Sequence, residues 1–348
     1  MRLALNLGYL TGRPDPAETL ALTRHAERLG FAAVWAAEAY GSDSPSVLAW
    51  LAGQTSTIDV GSAVMQVPGR TPAMTAMTAA TIDLLSGGRF RLGLGVSGPQ
   101  VSEGWHGVRF AEPLARTRAY VEVVRAALAR ETVRHEGRHF PLPLPDGPGL
   151  ALRLSFQPVR AHVPLYLAAV GPKNLALAGE VADGWLAVFF DPQTADEQLD
   201  QLRAGRARVG LDLDGFDVVP TVPLSVGPDP EACAEPVRAY AALYVGGMGS
   251  REQNFYFSLA VRMGFGEAAA EVQDLYLAGR QRDAAAAVPY ALVERTSLLG
   301  DRDRVAAGLA RLRDAGVTTC ALAPHGRTFD ERLAALTTAA EALRTLEP

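Results

Sequence analysis

The sequence predicts a (β/α)8 TIM barrel with insertions, built as a single domain over residues 1–348. Short β-like runs alternate with amphipathic helical stretches along the chain, and eight such strands can be counted. This alternation indicates parallel strands joined by right-handed crossovers, and eight units of this kind close into a barrel. Periodicity by itself leaves a doubly wound open sheet as the alternative.

Helix-start and helix-stop residues support the first four strand–helix pairs. Asp15 is the expected N-cap of the first helix, Pro16 its first residue and Gly30 its stop. The predicted strands of this half are Arg2–Tyr9, Phe31–Ala37, Ile58–Val67 and Phe90–Val96. The predicted helices are Asp15–Gly30, Pro45–Thr57, Pro72–Leu85 (with Met77, Ala80 and Leu84 on one face) and Pro113–Arg130.

The alternation breaks at two places in the second half. Residues 131–162 are rich in Pro and Gly and are predicted to form an insertion, and residues 230–295 are mostly helical and too long for one crossover. We expect both to shape the substrate pocket. The remaining predicted strands are Val163–Ala169, Trp185–Phe190, Phe216–Val226 and Val317–Ala323. The remaining predicted helices are Pro172–Ala182, Ala195–Val209, Arg302–Ala315 and Asp330–Leu346.

Composition narrows the possible functions. The formal net charge is −5, so nothing indicates a basic surface for nucleic acid or an anionic membrane. No apolar run reaches the length of about 18 residues that a membrane span needs. Met1 leads directly into a strand, and the two cysteines, Cys233 and Cys320, are too few for a disulfide framework. The sequence therefore predicts a cytoplasmic protein.

Gly93 to Gly98 spell G-L-G-V-S-G, which matches the dinucleotide fingerprint in letters. That fingerprint follows the first strand of its unit and opens directly into a helix. Here the motif ends the fourth predicted strand and runs into Pro99, Gln100 and a predicted loop. In a barrel, the same glycines place backbone amides at the C-terminal rim, where active sites of this fold are built.

His135 and His139 have a spacing found in zinc sites. They lie in a predicted hairpin without a third or fourth ligand nearby, so no metal site is predicted. The sequence contains no nucleophile elbow and no P-loop either.

The strand ends carry the functional signal. In chain order the informative segments are Ala36–Gly41, Gly61–Met65, Leu85–Gly95, Ser97–Gly107, Tyr166–Lys173 and Glu180–Trp185. This set resembles the bacterial luciferase-like superfamily over essentially the whole chain. It is most similar to the branch that uses the deazaflavin coenzyme F-420, which includes methylenetetrahydromethanopterin reductases and deazaflavin-dependent sugar-phosphate and alcohol dehydrogenases.

The resemblance implies where the cofactor binds. In the family, a non-prolyl cis peptide lies behind the flavin or deazaflavin ring, the loop after strand four contacts the cofactor, and the turn into helix five holds its phosphate. Free amides at a helix N-terminus suit a phosphate for independent reasons. The matching residues are Ala63 and Val64 for the cis peptide, Ser97 and Gly98 for the loop, and Ala169, Val170, Gly171 and Lys173 for the phosphate.

One departure from the family bears on the reaction. The deazaflavin-dependent dehydrogenases carry Asp-His at the end of strand two, and this chain has Glu38 and Ala39 there. Direct alcohol oxidation is therefore disfavoured, and reduction of an activated C=N, C=C or C=O bond is favoured. The candidate proton donors are Glu38, Glu103 and His106, each of which could instead form an ion pair or a backbone cap.

The residues leave three functions open. The leading hypothesis is hydride transfer between coenzyme F-420 and a small-molecule substrate. The alternatives are a monooxygenase that uses FMN and a non-catalytic cofactor-binding protein on the same fold. The expected assembly is a homodimer.

Overall fold

The computed structural model describes residues 1–10, 12–160 and 162–346. Neighbouring strands pair in parallel in the order β10-β1-β2-β3-β5-β6-β7-β8, and β8 pairs with β10, so the sheet closes on itself. The barrel prediction is confirmed, and the open-sheet alternative is wrong. The strands are β1 Arg2–Asn6, β2 Ala33–Ala36, β3 Asp59–Ser62, β4 Met65–Gln66, β5 Phe90–Gly95, β6 Leu165–Ala168, β7 Gly184–Val188, β8 Asp217–Val226, β9 Leu298–Gly300 and β10 Thr319–Pro324.

Helices follow the strands and surround the barrel. Asp15 caps the first of them through a bond from the Ala17 amide to its carboxylate (2.8 Å), as predicted. None of the helices in the described part of the chain combines the length with the apolar character that a membrane span requires. The helices are α1 Pro16–Arg28, α2 Ser44–Ala52, α3 Pro72–Leu85, α4 Pro99–Gly104, α5 Pro113–Leu128, α6 Pro172–Val181, α7 Ala195–Ala207, α8 Pro230–Ala242, α9 Phe255–Arg262, α10 Gly266–Leu277, α11 Gln281–Ala287, α12 Tyr290–Thr296, α13 Arg302–Asp314 and α14 Phe329–Arg344.

Two local predictions are wrong, and one strand was not predicted. The predicted third strand is two short strands, β3 and β4, because residues 63 and 64 leave the ladder between them. The loop expected after Gly98 contains the short helix α4, and β9 was not expected at all. On α3, Met77 and Leu84 are exposed by about half, whereas Ala80 is buried. The buried residues of this helix include Ala76, Ala79 and Ala80.

The predicted insertion, described at residues 131–160 and 162, runs over the outside of the barrel. It contains one antiparallel bridge between His135 and Leu142, which fits the predicted hairpin. Arg160 anchors its end to the buried carboxylate of Asp83, and Phe140 packs edge-on against Tyr120 of α5 (5.5 Å between ring centroids).

The N-terminal end of the barrel is closed by a buried ionic network. The Asp217 carboxylate accepts hydrogen bonds from Arg2 (3.0 Å), Arg91 (3.2 Å), the Tyr166 hydroxyl (3.0 Å) and Thr319 (2.8 Å). Burial alone would raise the pKa of Asp217, but these donors outweigh it and lower that pKa. The network thus joins five strands, β1, β5, β6, β8 and β10, at the base of the barrel.

Candidate active site

A cavity of about 600 Å³ opens at the C-terminal ends of the barrel strands. Residues at or just beyond seven of the strands line it, which is where enzymes of this fold build their sites. These are Asn6, Ala37, Ala63, Val64, Ala168, Val188, Thr221 and His325. Ala63 and Val64 lie on one side, between β3 and β4. We call this space the central cavity.

The peptide between Ala63 and Val64 is cis, as predicted. The glycines of the G-x-G motif leave the room that this bulge needs. A Cβ on Gly93 would lie 1.9 Å from the Ser62 carbonyl oxygen, and one on Gly95 would lie 2.5 Å from Val64. The motif therefore makes space for a backbone bulge, a role different from binding a dinucleotide.

The predicted phosphate turn lies at the start of α6. Gly171 is the N-cap residue in an extended conformation, and among the described residues no side chain caps this helix. Lys173 is exposed in the first turn. Ala169 accepts a hydrogen bond from Trp185 Nε1 through its carbonyl (2.9 Å), and the Val170 carbonyl accepts one from Arg262 (3.3 Å). The carbonyl groups of this turn therefore bind side chains from other segments of the chain. The N-terminus of α6 has no side-chain cap among the described residues.

Ser97 and Gly98 follow β5 at the rim of the barrel. Ser97 has a left-handed backbone (φ 61°), and Gly98 is the N-cap of α4. Both are half-buried and neither lines the central cavity. Their contact with a cofactor stays a prediction.

The Glu38 carboxylate is engaged in an ion pair. It contacts Arg70 (2.5 Å) and accepts hydrogen bonds from the amide and hydroxyl of Ser44 (3.2 Å each), and it is largely buried. The Gln66 side chain donates to the Glu38 carbonyl (2.8 Å). Glu38 is absent from the lining of the central cavity. Its role as a proton donor stays a prediction, and the geometry favours the alternative role of an ion pair.

Glu103 and His106 also have partners outside the central cavity. The Glu103 carboxylate accepts from the Phe110 amide (3.0 Å) and lies near Arg109 (3.4 Å). His106 Nε2 contacts the Gln66 side-chain oxygen at 2.7 Å. Trp105 of the same loop is 66% exposed. The proton-donor role of Glu103 and His106 likewise stays a prediction.

Four tyrosines that sequence reasoning missed line the central cavity. They are Tyr9, Tyr240, Tyr244 and Tyr256, and we call them the tyrosine wall. The rings of Tyr240 and Tyr244 are 4.7 Å apart, and those of Tyr244 and Tyr256 are 4.8 Å apart. Tyr240 and Tyr244 are spaced i,i+4 on α8 and the π-helical turn Leu243–Gly247 that continues it, a signal the sequence did contain.

The hydroxyls of the tyrosine wall are protonated donors. Burial raises the pKa of Tyr240, Tyr244 and Tyr256 far above neutrality. The buried hydroxyl of Tyr240 has no hydrogen-bond partner among the described residues. A buried hydroxyl left unpaired is costly, so a polar atom of a ligand would complete it.

His325 and the Asn6–Thr221 pair complete the polar lining. His325 follows β10, and its ring lies 6.0 Å from the ring of Tyr240. Burial lowers the pKa of His325, so the imidazole is neutral at pH 7. Asn6 donates to the Thr221 hydroxyl (2.6 Å) and accepts from the Gly8 amide (2.7 Å). The position of His325 at a strand end could have identified it from the sequence.

The closed parallel barrel with a polar cavity at the C-terminal strand ends is typical of a (β/α)8-barrel enzyme. Comparison with known families identifies which family it is. The family model described as luciferase-like monooxygenase matches residues 3–319, and the chain therefore belongs to this luciferase-like family. The resemblance inferred from the strand ends is confirmed.

Individual relatives are more specific. A candidate coenzyme F-420-dependent oxidoreductase of Mycobacterium tuberculosis is 43% identical over 325 residues, which cover 91% of this chain and 93% of the relative. The 5,10-methylenetetrahydromethanopterin reductase of Archaeoglobus fulgidus is 33% identical over 223 residues, 64% of each protein. The structure of the coenzyme F-420-dependent tetrahydromethanopterin reductase of Methanopyrus kandleri has a TM-score of 0.84 at 24% identity, covering 100% of this chain and 99% of that one. It shows the shared fold.

Proposed function

We propose that the chain is an oxidoreductase that transfers a hydride between coenzyme F-420 and a small organic substrate, and that it acts as a reductase. The observation that carries the proposal is the 43% identity, over 93% of its length, to a relative named for this coenzyme. The cavity supports it, because it lies where enzymes of this fold bind their ligands.

The residues present fit a flat tricyclic cofactor. Ala63, Val64 and Ala168 offer a small apolar surface on one side of the central cavity, and the tyrosine wall lies among its other lining residues. The open N-terminus of α6 suits the cofactor's phosphate, with Lys173 as an adjacent cation. Ser97 and Gly98 are the proposed loop contact. The deazaflavin, when bound, supplies or accepts the hydride.

The chain's own contribution is orientation, exclusion of water and a proton. Reduction of a polar double bond places negative charge on the heteroatom, which a donor in the cavity must neutralise. The hydroxyl of Tyr240 and the neutral ring of His325 line the cavity, whereas Glu38, Glu103 and His106 do not. His325→Gln is therefore expected to lower turnover more than Glu38→Gln. The reverse order would return the role to Glu38.

Titration with each cofactor tests the proposed function. We expect micromolar or tighter binding of coenzyme F-420 and much weaker binding of FMN. Quenching of the intrinsic protein fluorescence measures both affinities. Oxidation of the reduced coenzyme under nitrogen, with a panel of imine and enone acceptors, then tests catalysis. Preference for FMN together with oxygen consumption would identify a monooxygenase. Tight coenzyme binding without turnover on any acceptor would indicate a binding protein.

We also propose a homodimer formed through α2 and α3. Five large apolar side chains are exposed on these two adjacent helices, by 37–61%. Those on α3 fall within one stripe, because positions 74, 77, 84 and 85 share a helical face. They are Trp50, Met74, Met77, Leu84 and Leu85. Analytical ultracentrifugation should show a dimer, and Met77→Glu with Leu84→Glu should give a monomer.

The proposed location is the cytoplasm. Cys233 and Cys320 are both buried and unpaired, which suits a reducing compartment. Fractionation of cells that express the protein would test the location.

A further inference from the structure

A second cavity, of about 520 Å³, opens on the outer wall of the barrel. It lies between the segment 191–193 after β7, the segment from the end of α12 through β9, and helix α13. It shares no lining residue with the central cavity. On β8, Thr221 lines the central cavity and the next residue, Val222, lines the outer one, as alternation along a strand requires. We call it the outer cleft.

One face of α13 forms a wall of the outer cleft. The residues that line it recur at i, i+3, i+4, i+7 and i+8, a spacing that puts them on one stripe of the helix. A stripe of this kind normally packs against a neighbouring element. Here it combines cationic, small and apolar residues beside open space: Arg304, Ala307, Gly308, Arg311 and Leu312.

The charges in the outer cleft do not balance. Arg295 pairs with the buried carboxylate of Asp191, and Arg304 pairs with Glu294 at 2.7 Å. Arg311 also lines the cleft, and among the described residues no carboxylate lies within 4.0 Å of it. Three guanidinium groups thus line the cleft beside two carboxylates, and the exposed Arg311 is the one outside these two ion pairs.

The unpaired cation lies over an apolar floor. Arg311 Nη2 is 3.7 Å from the point where a Cβ on Gly308 would lie, and Leu298 Cδ2 is 2.4 Å from the same point. Arg311 therefore folds back across Gly308 towards Leu298. Val222 and Leu312 extend this floor.

A buried polar group next to Leu298 independently indicates a ligand. Ser297 lines the outer cleft and is 8% exposed, and its hydroxyl has no hydrogen-bond partner among the described residues. Buried hydroxyls are nearly always paired, so a ligand atom would complete this one. A hydroxyl and a guanidinium together are suited to an oxyanion.

We propose that the outer cleft binds a small amphipathic organic anion. Its carboxylate or phosphate contacts Arg311 and the Ser297 hydroxyl, and its apolar body lies on Val222, Leu298 and Leu312. The site is separate from the central cavity and does not depend on the coenzyme.

Calorimetric titration with phenyl phosphate and with benzoate tests the proposal. At least one of the two should bind, and Arg311→Ala should weaken it at least tenfold. Ala307→Trp, at an exposed position of α13, should fill the cleft and abolish binding. Arg313→Ala, an exposed arginine of the same helix outside the cleft, is the matched control and should bind like the parent. Inorganic phosphate and benzyl alcohol, which carry one half of the chemistry each, should bind at least tenfold more weakly.

Circular dichroism and melting temperatures establish that each variant is folded. The proposal is overturned if neither anion binds at millimolar concentration. It is also overturned if Arg311→Ala and Ala307→Trp both bind like the parent, since binding would then lie elsewhere. Displacement of the anion by coenzyme F-420 would assign it to the central cavity, with the same consequence. None of these outcomes bears on the proposed oxidoreductase activity.

Discussion

The two ends of the barrel differ in how completely their buried polar groups are hydrogen-bonded. At the N-terminal end, Asp217 is saturated with donors, and Arg91 also pairs with Asp59 at 2.7 Å. At the C-terminal end, the Tyr240 hydroxyl is buried without a partner and the N-terminus of α6 has no side-chain cap in the described structure. Polar groups that satisfy one another stabilise a fold, and those left open are available to a ligand. Stability and function are therefore separated along the barrel axis.

The largest expected effect comes from a substitution in the Asp217 network at the N-terminal end of the barrel. Asp217→Ala leaves Arg2 and Arg91 without their shared partner, and we expect a loss of about 3–5 kcal/mol in the free energy of unfolding. Urea denaturation measures it. Asp303→Ala, an exposed carboxylate, is the control and should change stability by less than about 0.5 kcal/mol. Coenzyme affinity of folded Asp217→Ala should match the parent, and a weakened affinity would show that the two ends are coupled.

A substitution at the C-terminal end of the barrel should lower turnover and leave the stability of the fold unchanged. Tyr240→Phe removes an unpaired hydroxyl, so the free energy of unfolding should be unchanged or slightly higher. Turnover of the reduced coenzyme with the best acceptor should fall by about tenfold or more, as expected for loss of a hydrogen bond worth about 1.5 kcal/mol in the transition state. Tyr290→Phe, outside the cavity, is the control. Unchanged turnover together with lower stability would make Tyr240 a structural residue.

Lys173→Ala should affect binding alone. We expect coenzyme F-420 affinity to fall by about 1–3 kcal/mol, because a charged hydrogen bond to phosphate is lost while the backbone amides of the turn remain. Lys173→Arg should retain most of the affinity. Fluorescence titration measures both, and equal affinity for the alanine variant and the parent would remove Lys173 from the site.

The smallest expected effect is the pH dependence of stability that Asp217 contributes at the N-terminal end of the barrel. The pKa of Asp217 is lowered in the folded state, so its stabilising contribution is complete above the unfolded value of about 3.9. The contribution is lost as the pH falls below that value through the folded pKa. Melting temperatures between pH 6 and pH 3 should therefore decline less steeply for Asp217→Asn than for the parent. Parallel curves would contradict this assignment.

Local signals predicted the scaffold well. Helix α3 runs from Pro72 to Leu85, the predicted bounds, because Thr71 caps its start through a bond to the Met74 amide. The cis peptide at Ala63 was found from a short match in one strand. Helix α4 was missed because six residues are too short to show a helical period.

The site was harder to predict because its parts are distant in sequence. Tyr9 and Tyr240 meet only in the folded barrel, where both line the central cavity. Glu38 lies at a strand end, as expected, but nothing near it in sequence reveals that Arg70 neutralises it. The helical region does shape the cavity, through Tyr240 and Tyr256, whereas none of the described insertion residues lines it. The strand ends in the sequence therefore predict where the rim of the barrel lies, but they do not show which side chains point into the cavity.

Lys173 is the only lysine in the chain, and it is exposed. Among the side chains, reagents that acylate amines therefore have one target, the ε-amine of Lys173. A fluorophore could be attached beside the proposed phosphate turn without mutagenesis. Coenzyme that reaches the turn first should shield Lys173 from the reagent, which makes the natural protein its own footprinting probe.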